Sequence, residues 1–470
     1  MLETRKNLKR KEALAINYPP GLDMVKRTDI PSQYHATYKE DELMQLEHEY
    51  FQVTPLVVPS DTKTTITIKG LYDHSRFEDG VEYEVTYYPK EFWSDGYPKK
   101  EFSATGQDGA LVIPYHFAGE QEHVFHVTRI VEDKQRVIGT FCVYSLEPDL
   151  FVRRPYKGDV HMHSYYSDGM ESPAYVAASC RKVGFDFMAL TDHHRYGPSL
   201  EAIAAYKDVA VDLAIFPGEE VHPPGCYTHI INFGGSFSVN ELYREEGYQD
   251  EIDALIAKLG ELPLDIEAHQ YAPVVWSFEK IREGKGLGVL CHPHWVADRR
   301  YNVPKPMLDY LFETQPFDAF EVLGGVPVED NNLQAAYYND QRVKGKQIPI
   351  VGVSDSHGCH KRDEFGHFGD IYTLVFSPTL ELEDLVSSIK DLYSVAVEIM
   401  PGEYPRVYGP FRLVKFTRFL LREYIPYHDT LCLEEGNHML AYIQDVEGAA
   451  QRLEACQGQV ARFIDKLWVR

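Results

Sequence analysis

Hydrophobic and polar positions divide the chain into three kinds of segment. Between residues 56 and 148, short runs such as TTITIKG (64–70), YEVTYYP (83–89), ALVIPYHF (110–117), EHVFHVTRIV (122–131) and RVIGTFCVYSL (136–146) alternate in hydrophobicity and are separated by polar turns such as GQDG. Short strands at this spacing, with no helix between them, predict a small antiparallel β-sandwich. EPDLFVRRPY (147–156) reads as a linker. Strand-like runs then alternate with helical stretches: GDVHMH (158–163), FDFMALT (185–191), LAIFPGEEV (213–221), HIINF (229–233), GLGVLC (286–291), FDAFEVL (317–323) and IPIVGVS (348–354). SPAYVAASCRKV opens with a Ser N-cap and a Pro in the first turn, as a helix start should. Repeated βα units predict an α/β fold with a parallel sheet and outer helices, open or closed into a barrel. Beyond about 410, Met439, Ile443, Val446, Ala450, Leu453, Cys456, Val460, Phe463 and Leu467 recur every three or four residues, an amphipathic helical stripe. It packs on its own domain or forms a seam between copies of a homo-oligomer. The layout is an N-terminal arm (1–55), the sandwich (56–148), the α/β region (155–405) and a helical C-terminal extension (406–470).

Composition narrows the choices. The 470 residues are 44% hydrophobic and 25% charged, enough apolar content for a sizeable core. A formal charge of -25 argues against long nucleic acids or anionic membranes as partners through a general basic surface. No apolar run approaches the roughly 18–20 residues of a membrane span, and the basic N-terminus has no apolar stretch behind it. Seven cysteines without a CxxC pair favour a reducing compartment. The expectation is a soluble, cytoplasmic, multidomain protein.

The chemistry gathers at strand ends. His161 and His163 stand at i and i+2, which points both side chains to one side. Asp168 follows in SYYSDG. Later runs end in Thr191-Asp192-His193-His194, Glu219-Glu220, Cys291-His292-Pro293-His294 and Ser354-Asp355-Ser356-His357, and His229 opens another. In parallel α/β folds the carboxyl ends of the strands converge on one face, so these scattered residues can meet. Imidazoles with carboxylates and no thiolates suit Zn, Mn or Fe. The donors exceed one coordination sphere and call for two or three adjacent divalent ions, a device for phosphoryl chemistry.

HMHSYYSDG, ALTDH, PGEE, CHPH and SDSH resemble, in order and spacing, the successive motifs of the polymerase and histidinol phosphatase (PHP) superfamily, over roughly 155–400. The resemblance implies a distorted (β/α)7 barrel with a trinuclear metal centre at its mouth and hydrolysis of phosphate esters. It implies that His161, His163, Glu220 and Asp355 hold one ion. Glu220 would bridge to a second ion on His229 and His292, and Asp168, His193 and His357 would take the third. His222 rivals His229, and Glu219 rivals Glu220, although strand alternation lets only one of the two glutamates face inwards. Asp168 stands where some members have His, as in the branch with nucleotide phosphatases and small-oligonucleotide exonucleases.

The implied mechanism is in-line attack by a metal-bridging hydroxide, with His194 or His294 as the acid for the leaving group and Asp192 orienting a ligand imidazole. Arg195, Arg299 with Arg300, and Lys361 with Arg362 are candidate phosphate contacts, as against ordinary surface residues. Cys291 reads as core packing, Cys226 and Cys359 as loop residues near the site, and GKGLG (284–288) as a helix-to-strand turn rather than a phosphate loop. His116, His123 and His126 lack acidic partners at ligand spacing and read as structural. The leading expectation is a phosphomonoesterase on a small phosphorylated metabolite or nucleotide. A phosphodiesterase or exonuclease on short nucleic acids comes second, and a non-catalytic metal-binding scaffold third.

Overall fold

A computed structural model describes residues 49–91, 100–360, 367–400 and 403–468. Most of the N-terminal arm and the pair Lys361 and Arg362 lie outside these residues. The chain divides into two compact units. One comprises residues up to Val53, Thr67–Ile113 and Val124–Cys142; the other comprises Thr54–Ile66, Pro114–His123 and everything from Val143 on.

The strands β1 (Phe51–Thr54), β2 (Val57–Pro59), β3 (Thr62–Gly70), β4 (Glu82–Pro89), β5 (Lys100–Gln107), β6 (Ala110–Phe117), β7 (Gln121–Val131) and β8 (Lys134–Leu146) account for the alternating runs. They hydrogen bond in a single sheet, order β1-β3-β6-β5-β4-β7-β8-β2, where the turn spacing suggests two stacked layers. The pair β2–β8 is parallel. His123 is buried against the Ser145 hydroxyl at 2.7 Å, and burial pushes its imidazole down to about 4.

From residue 154 on, two sheets carry the chemistry. The first holds β9 (Arg154–Asp159), β10 (Phe187–Ala189) and β11 (Ala214–Phe216), continued by β19 (Ile371–Ser377), β20 (Ser394–Glu398) and β21 (Arg406–Tyr408), in the order β11-β10-β9-β19-β20-β21. The second holds β12 (Gly218–Val221), β13 (Ile230–Phe233), β14 (Leu287–Leu290), β17 (Ala319–Leu323) and β18 (Ile350–Gly352), in that order. A two-residue ribbon, β15 (Val296–Ala297) with β16 (Arg300–Tyr301), follows β14. The expected all-parallel arrangement gives way to a mixed one. β9–β10–β11 and β14–β17–β18 are parallel, whereas β12–β13–β14 and β9–β19–β20–β21 run antiparallel. No helix lies between β12 and β13, so β13 has no crossover to bring it back parallel. A parallel bridge at Met162–Ser356, beyond the strand ends, and another from His193 to Glu220 within β12 join the sheets.

Alternate residues of these strands sort into two cores, as period-two geometry requires. Phe187, Ile231, Val289, Ala319 and Val351 share one, largely among strands. Ile230, Leu290, Phe320, Val322 and Ile350 join helix residues such as Phe278, Leu311 and Phe312 in the other. Because both faces are covered, the runs read as nearly continuous apolar sequence.

Four helices, Phe411–Glu423, Ile425–Ile443, Ala449–Cys456 and Gln459–Leu467, form the predicted helical end. Met439, Leu453, Cys456 and Leu467 of the apolar stripe are buried within the chain. Helix Ile425–Ile443 approaches helix Pro173–Lys182 so closely that a Cβ on Gly436 would fall 2.5 Å from the Lys182 nitrogen. Among the described residues no helix is long and apolar enough to cross a membrane, and the seven cysteines are free.

Candidate metal centre

The site is assembled from loops that leave the strand ends. His161 and His163 lie just past β9, on either side of the Met162–Ser356 bridge, rather than within the strand. Asp159 ties this segment to the Asp355 loop, accepting from the His161 amide (3.0 Å) and the Ser354 amide (3.1 Å); burial pushes its carboxyl up to about 7. Asp355 adopts φ 45°, a left-handed conformation that Asp tolerates better than most residues.

Glu220 is fully buried at the centre. Its Oε2 lies 2.6 Å from His193 Nδ1, 3.5 Å from His161 Nε2 and 3.6 Å from His163 Nε2. Its Oε1 lies 2.8 Å from His229 Nδ1, 3.5 Å from His222 Nε2 and 3.6 Å from His292 Nε2. Asp355 Oδ1 is 2.9 Å from His163 Nε2 and 3.1 Å from His161 Nε2. On the far side of His163, Asp168 Oδ2 is 3.3 Å from both His193 Nε2 and His357 Nε2. Ring contacts run through the whole array, from His292–His161 (5.5 Å) and His161–His163 (5.3 Å) to His163–His357 (4.5 Å).

Of the two rivalries, only that between the glutamates resolves geometrically. Glu219 faces away and is held by Ser238 Oγ (2.7 Å) and by the Asn240 (2.9 Å) and Asn232 (3.2 Å) side-chain amides. His222 and His229 both join the array, stacked at 4.0 Å.

The donor set fits divalent cations. Both carboxylate oxygens of Glu220, His161 Nε2 and His229 Nδ1 are buried and make no hydrogen bond, although ring nitrogens and carboxylate oxygens lie close together. Lone pairs thus face one another across gaps that only a positive charge resolves. Several groupings here have potential ligand atoms within 4.8 Å of one another, among them His163, Asp168, His193 and His357; His161, Glu220 and His292; His161, His163 and Asp355; and His161, Cys291 and Glu321. Burial opposes charge throughout, yet Glu220 and Asp168 push His193 up to about 10. Burial likewise works against Asp355, but His161, His163 and His292 hold it well below the usual carboxylate range. The carboxylates thus draw positive charge onto the imidazoles around them.

Other expectations change. Asp192 does not orient an imidazole. Its carboxylate accepts from the amides and hydroxyls of Ser164 and Ser167, shaping the loop that carries Asp168. His194, at φ 57°, sits beside His222 at 4.2 Å, on the edge of the array. His294 turns elsewhere, against Tyr301 (5.3 Å) and Tyr337 (5.7 Å). Arg195 is exposed, and Arg300 lies over the Tyr227 ring at 4.9 Å. Burial raises the thiols of Cys226 to about 11 and Cys359 to about 12, which keeps them protonated. Cys291 lies in the inner core, yet it is not turned away from the site: its Sγ falls within 4.8 Å of ligand atoms of His161 and Glu321.

Sequence reasoning passed over Glu321. It is fully buried on β17, with Oε2 3.0 Å from His161 Nδ1. The available signal was an acid inside an apolar run, FDAFEVL, at an inward position two residues from Ala319.

No family model matches the chain. Over 53 residues it is 45% identical to the DNA polymerase/3'-5' exonuclease PolX of Bacillus subtilis (strain 168), covering 11% of this chain and 9% of that protein. It is similar to a two-domain protein containing a predicted PHP-like metal-dependent phosphoesterase from Bacteroides vulgatus ATCC 8482 (18% identity, TM-score 0.38), covering 53% of this chain and 66% of the other. It is also similar to a predicted metal-dependent phosphoesterase from Bifidobacterium adolescentis ATCC 15703 (19% identity, TM-score 0.30), covering 44% of this chain and 89% of the other. In motif order and in these comparisons, the chain is similar to PHP-like metal-dependent phosphoesterases.

Proposed function

We propose that the chain is a metal-dependent hydrolase of phosphate esters, acting as a phosphomonoesterase on a small phosphorylated metabolite or nucleotide. The fold around its site is then a distorted (β/α)7 barrel of the PHP kind. The observation that carries the reading is Glu220, a buried carboxylate with imidazoles around both oxygens and no hydrogen bond to either. His161, His163, Glu220 and Asp355 would hold one ion; Glu220, His229 and His292 a second; and Asp168, His193 and His357 a third. His163 also stands beside the third group, and His222 beside the second.

Bound divalent ions supply charge for the phosphate oxygens and lower the pKa of a water that serves as nucleophile. The chain's own residues do the rest. Asp159 and Asp192 fix the ligand-bearing loops, and the buried walls limit bulk water around Glu220. Of the two histidines considered for the leaving-group proton, His194 is the better placed, beside His222.

The test strips the protein of metal, reloads it with Mn, Zn or Fe, and assays phosphomonoesters beside bis(aryl) phosphodiesters. Turnover of monoesters that depends on reloading is expected. Turnover of diesters alone would reverse the preference, and bound metal without turnover of either would leave a scaffold.

A further inference from the structure

Glu321 is a buried acid whose hydrogen-bond partner is His161. It belongs to none of the three ion sets proposed above, although its carboxylate, His161 and Cys291 present ligand atoms within 4.8 Å of one another. Its neighbours in β17 show how it arrives: Ala319 lies in the inner core and Phe320 in the outer one, so the next residue points inwards. There Oε2 meets His161 Nδ1 at 3.0 Å, while Oε1 has no hydrogen-bond partner. The backbone leaves room for this carboxylate and little else. A Cβ on Gly324 would fall 1.9 Å from Glu321 Oε1, and one on Gly325 would fall 2.6 Å from Asp355 Cβ. The turn after β17 thus brings main chain against both acids. The Cys291 thiol is directed to the Val289 carbonyl at 3.4 Å.

A buried carboxylate costs several kcal/mol unless its partner is well matched. Replacing such a group with an apolar side chain of similar size is often neutral or stabilising. Its presence here therefore points to a task other than stability. A neutral imidazole has one N–H and one lone pair. An acceptor at Nδ1 draws the hydrogen there and leaves the lone pair at Nε2, facing Glu220 and Asp355. Those carboxylates, when ionised, only accept, so that lone pair awaits a cation.

Resting on the proposed metal site, we infer that Glu321 is a positioning residue that fixes the tautomer and orientation of His161 for its ion. It accepts the Nδ1 hydrogen and does not itself touch metal or substrate.

The test compares wild type, Glu321→Met, Glu321→Gln and His161→Ala for bound zinc per chain, zinc affinity in competition with a chelator, and thermal stability. Loss of an outer partner of this kind costs about 10–100-fold in metal affinity. Glu321→Met should show that loss for one ion while keeping or raising the melting temperature. Glu321→Gln should lose less, because its amide oxygen still accepts. In zinc-loaded protein labelled with 15N-histidine, the His161 Nδ1 proton signal should persist in Glu321→Gln and weaken in Glu321→Met. Wild-type affinity and stoichiometry in Glu321→Met would overturn the inference, as would equal affinity losses in both variants that track falling stability. If Glu321→Met does not fold, Gly324→Ala displaces the carboxylate instead and is read by the same measures. Wild type that binds no zinc would defeat the metal reading itself. Loss of an ion in His161→Ala but not in Glu321→Met would defeat only the role of Glu321.

Discussion

Two buried clusters of histidines and acids lie in the larger unit, and they are built on opposite principles. At the junction of helices Pro173–Lys182 and Ile425–Ile443, Arg181 Nε reaches Glu435 at 2.7 Å and its Nη1 reaches Asp186 at 3.2 Å. His428 gives Nε2–H to Asp186 and Nδ1–H to Asp429, each at 2.9 Å, and Lys157 meets Asp429 at 2.9 Å. Asp186, His428 and Cys432 even have the residue types and spacing of a metal site. There, however, the guanidinium already occupies the place of a cation. Around Glu220 the charges are left facing one another, with no ion pair to an Arg or Lys among the described residues. Residue type alone does not mark a metal centre; the distinction here is that the carboxylate oxygens of Glu220 have imidazole nitrogens around them and no hydrogen bond.

Each prediction opposes the two clusters. The largest effect belongs to Asp355→Asn, which should cut kcat/KM by at least ~1,000-fold, beyond the 10–100-fold cost of an outer partner. It should also lower the metal content measured by elemental analysis; unchanged kinetics would remove Asp355 from the ligand set. Arg181→Met leaves Glu435 and Asp186 without their cation and should cost about 3–5 kcal/mol in denaturant unfolding. Bound metal per folded chain should stay the same, and a fall in it would mean that the clusters are not separate.

His428→Gln should cost about 1–3 kcal/mol, and its pH dependence has a fixed sign. Burial opposes the His428 charge, but Asp186 raises its pKa well above 6.5, so its contribution is complete below 6.5 and fades as pH rises through the raised value. Burial also opposes ionisation of Asp186, but His428 and Arg181 lower its pKa, so its contribution is complete above 3.8 and is lost as pH falls through the lowered value. The melting-temperature gap between wild type and variant should therefore be widest between pH 3.8 and 6.5; a gap that grows at alkaline pH would exclude the charged pair. The smallest effect is expected for His294→Gln, less than about 3-fold in kcat/KM, since changes away from such features stay within about 0.5 kcal/mol. A larger loss would return His294 to the list of acids.

The gathering of the site was legible because His, Asp and Glu at the ends of apolar runs are costly unless paired, and the topology leads those ends together. The strand directions were not. Alternation looks the same in a parallel and an antiparallel partner, so β12–β13–β14 passed for βα units. β19 and β20 escaped notice because a run such as IYTLVFS carries no chemistry to draw attention. Glu321 was hidden for the opposite reason, as a single acid within a run read as core. Asp192 beside His193 suggested an imidazole partner, but its orientation is set by the serines of another loop. That fact belongs to tertiary structure alone.

The pair His163 and Asp355 stand 192 positions apart in the chain and 2.9 Å apart in space. The ligand set proposed for the first ion is therefore incomplete on a nascent polypeptide until translation has passed the second of them. That ion would load only onto chains that extend past Asp355, and products truncated before it would lack it.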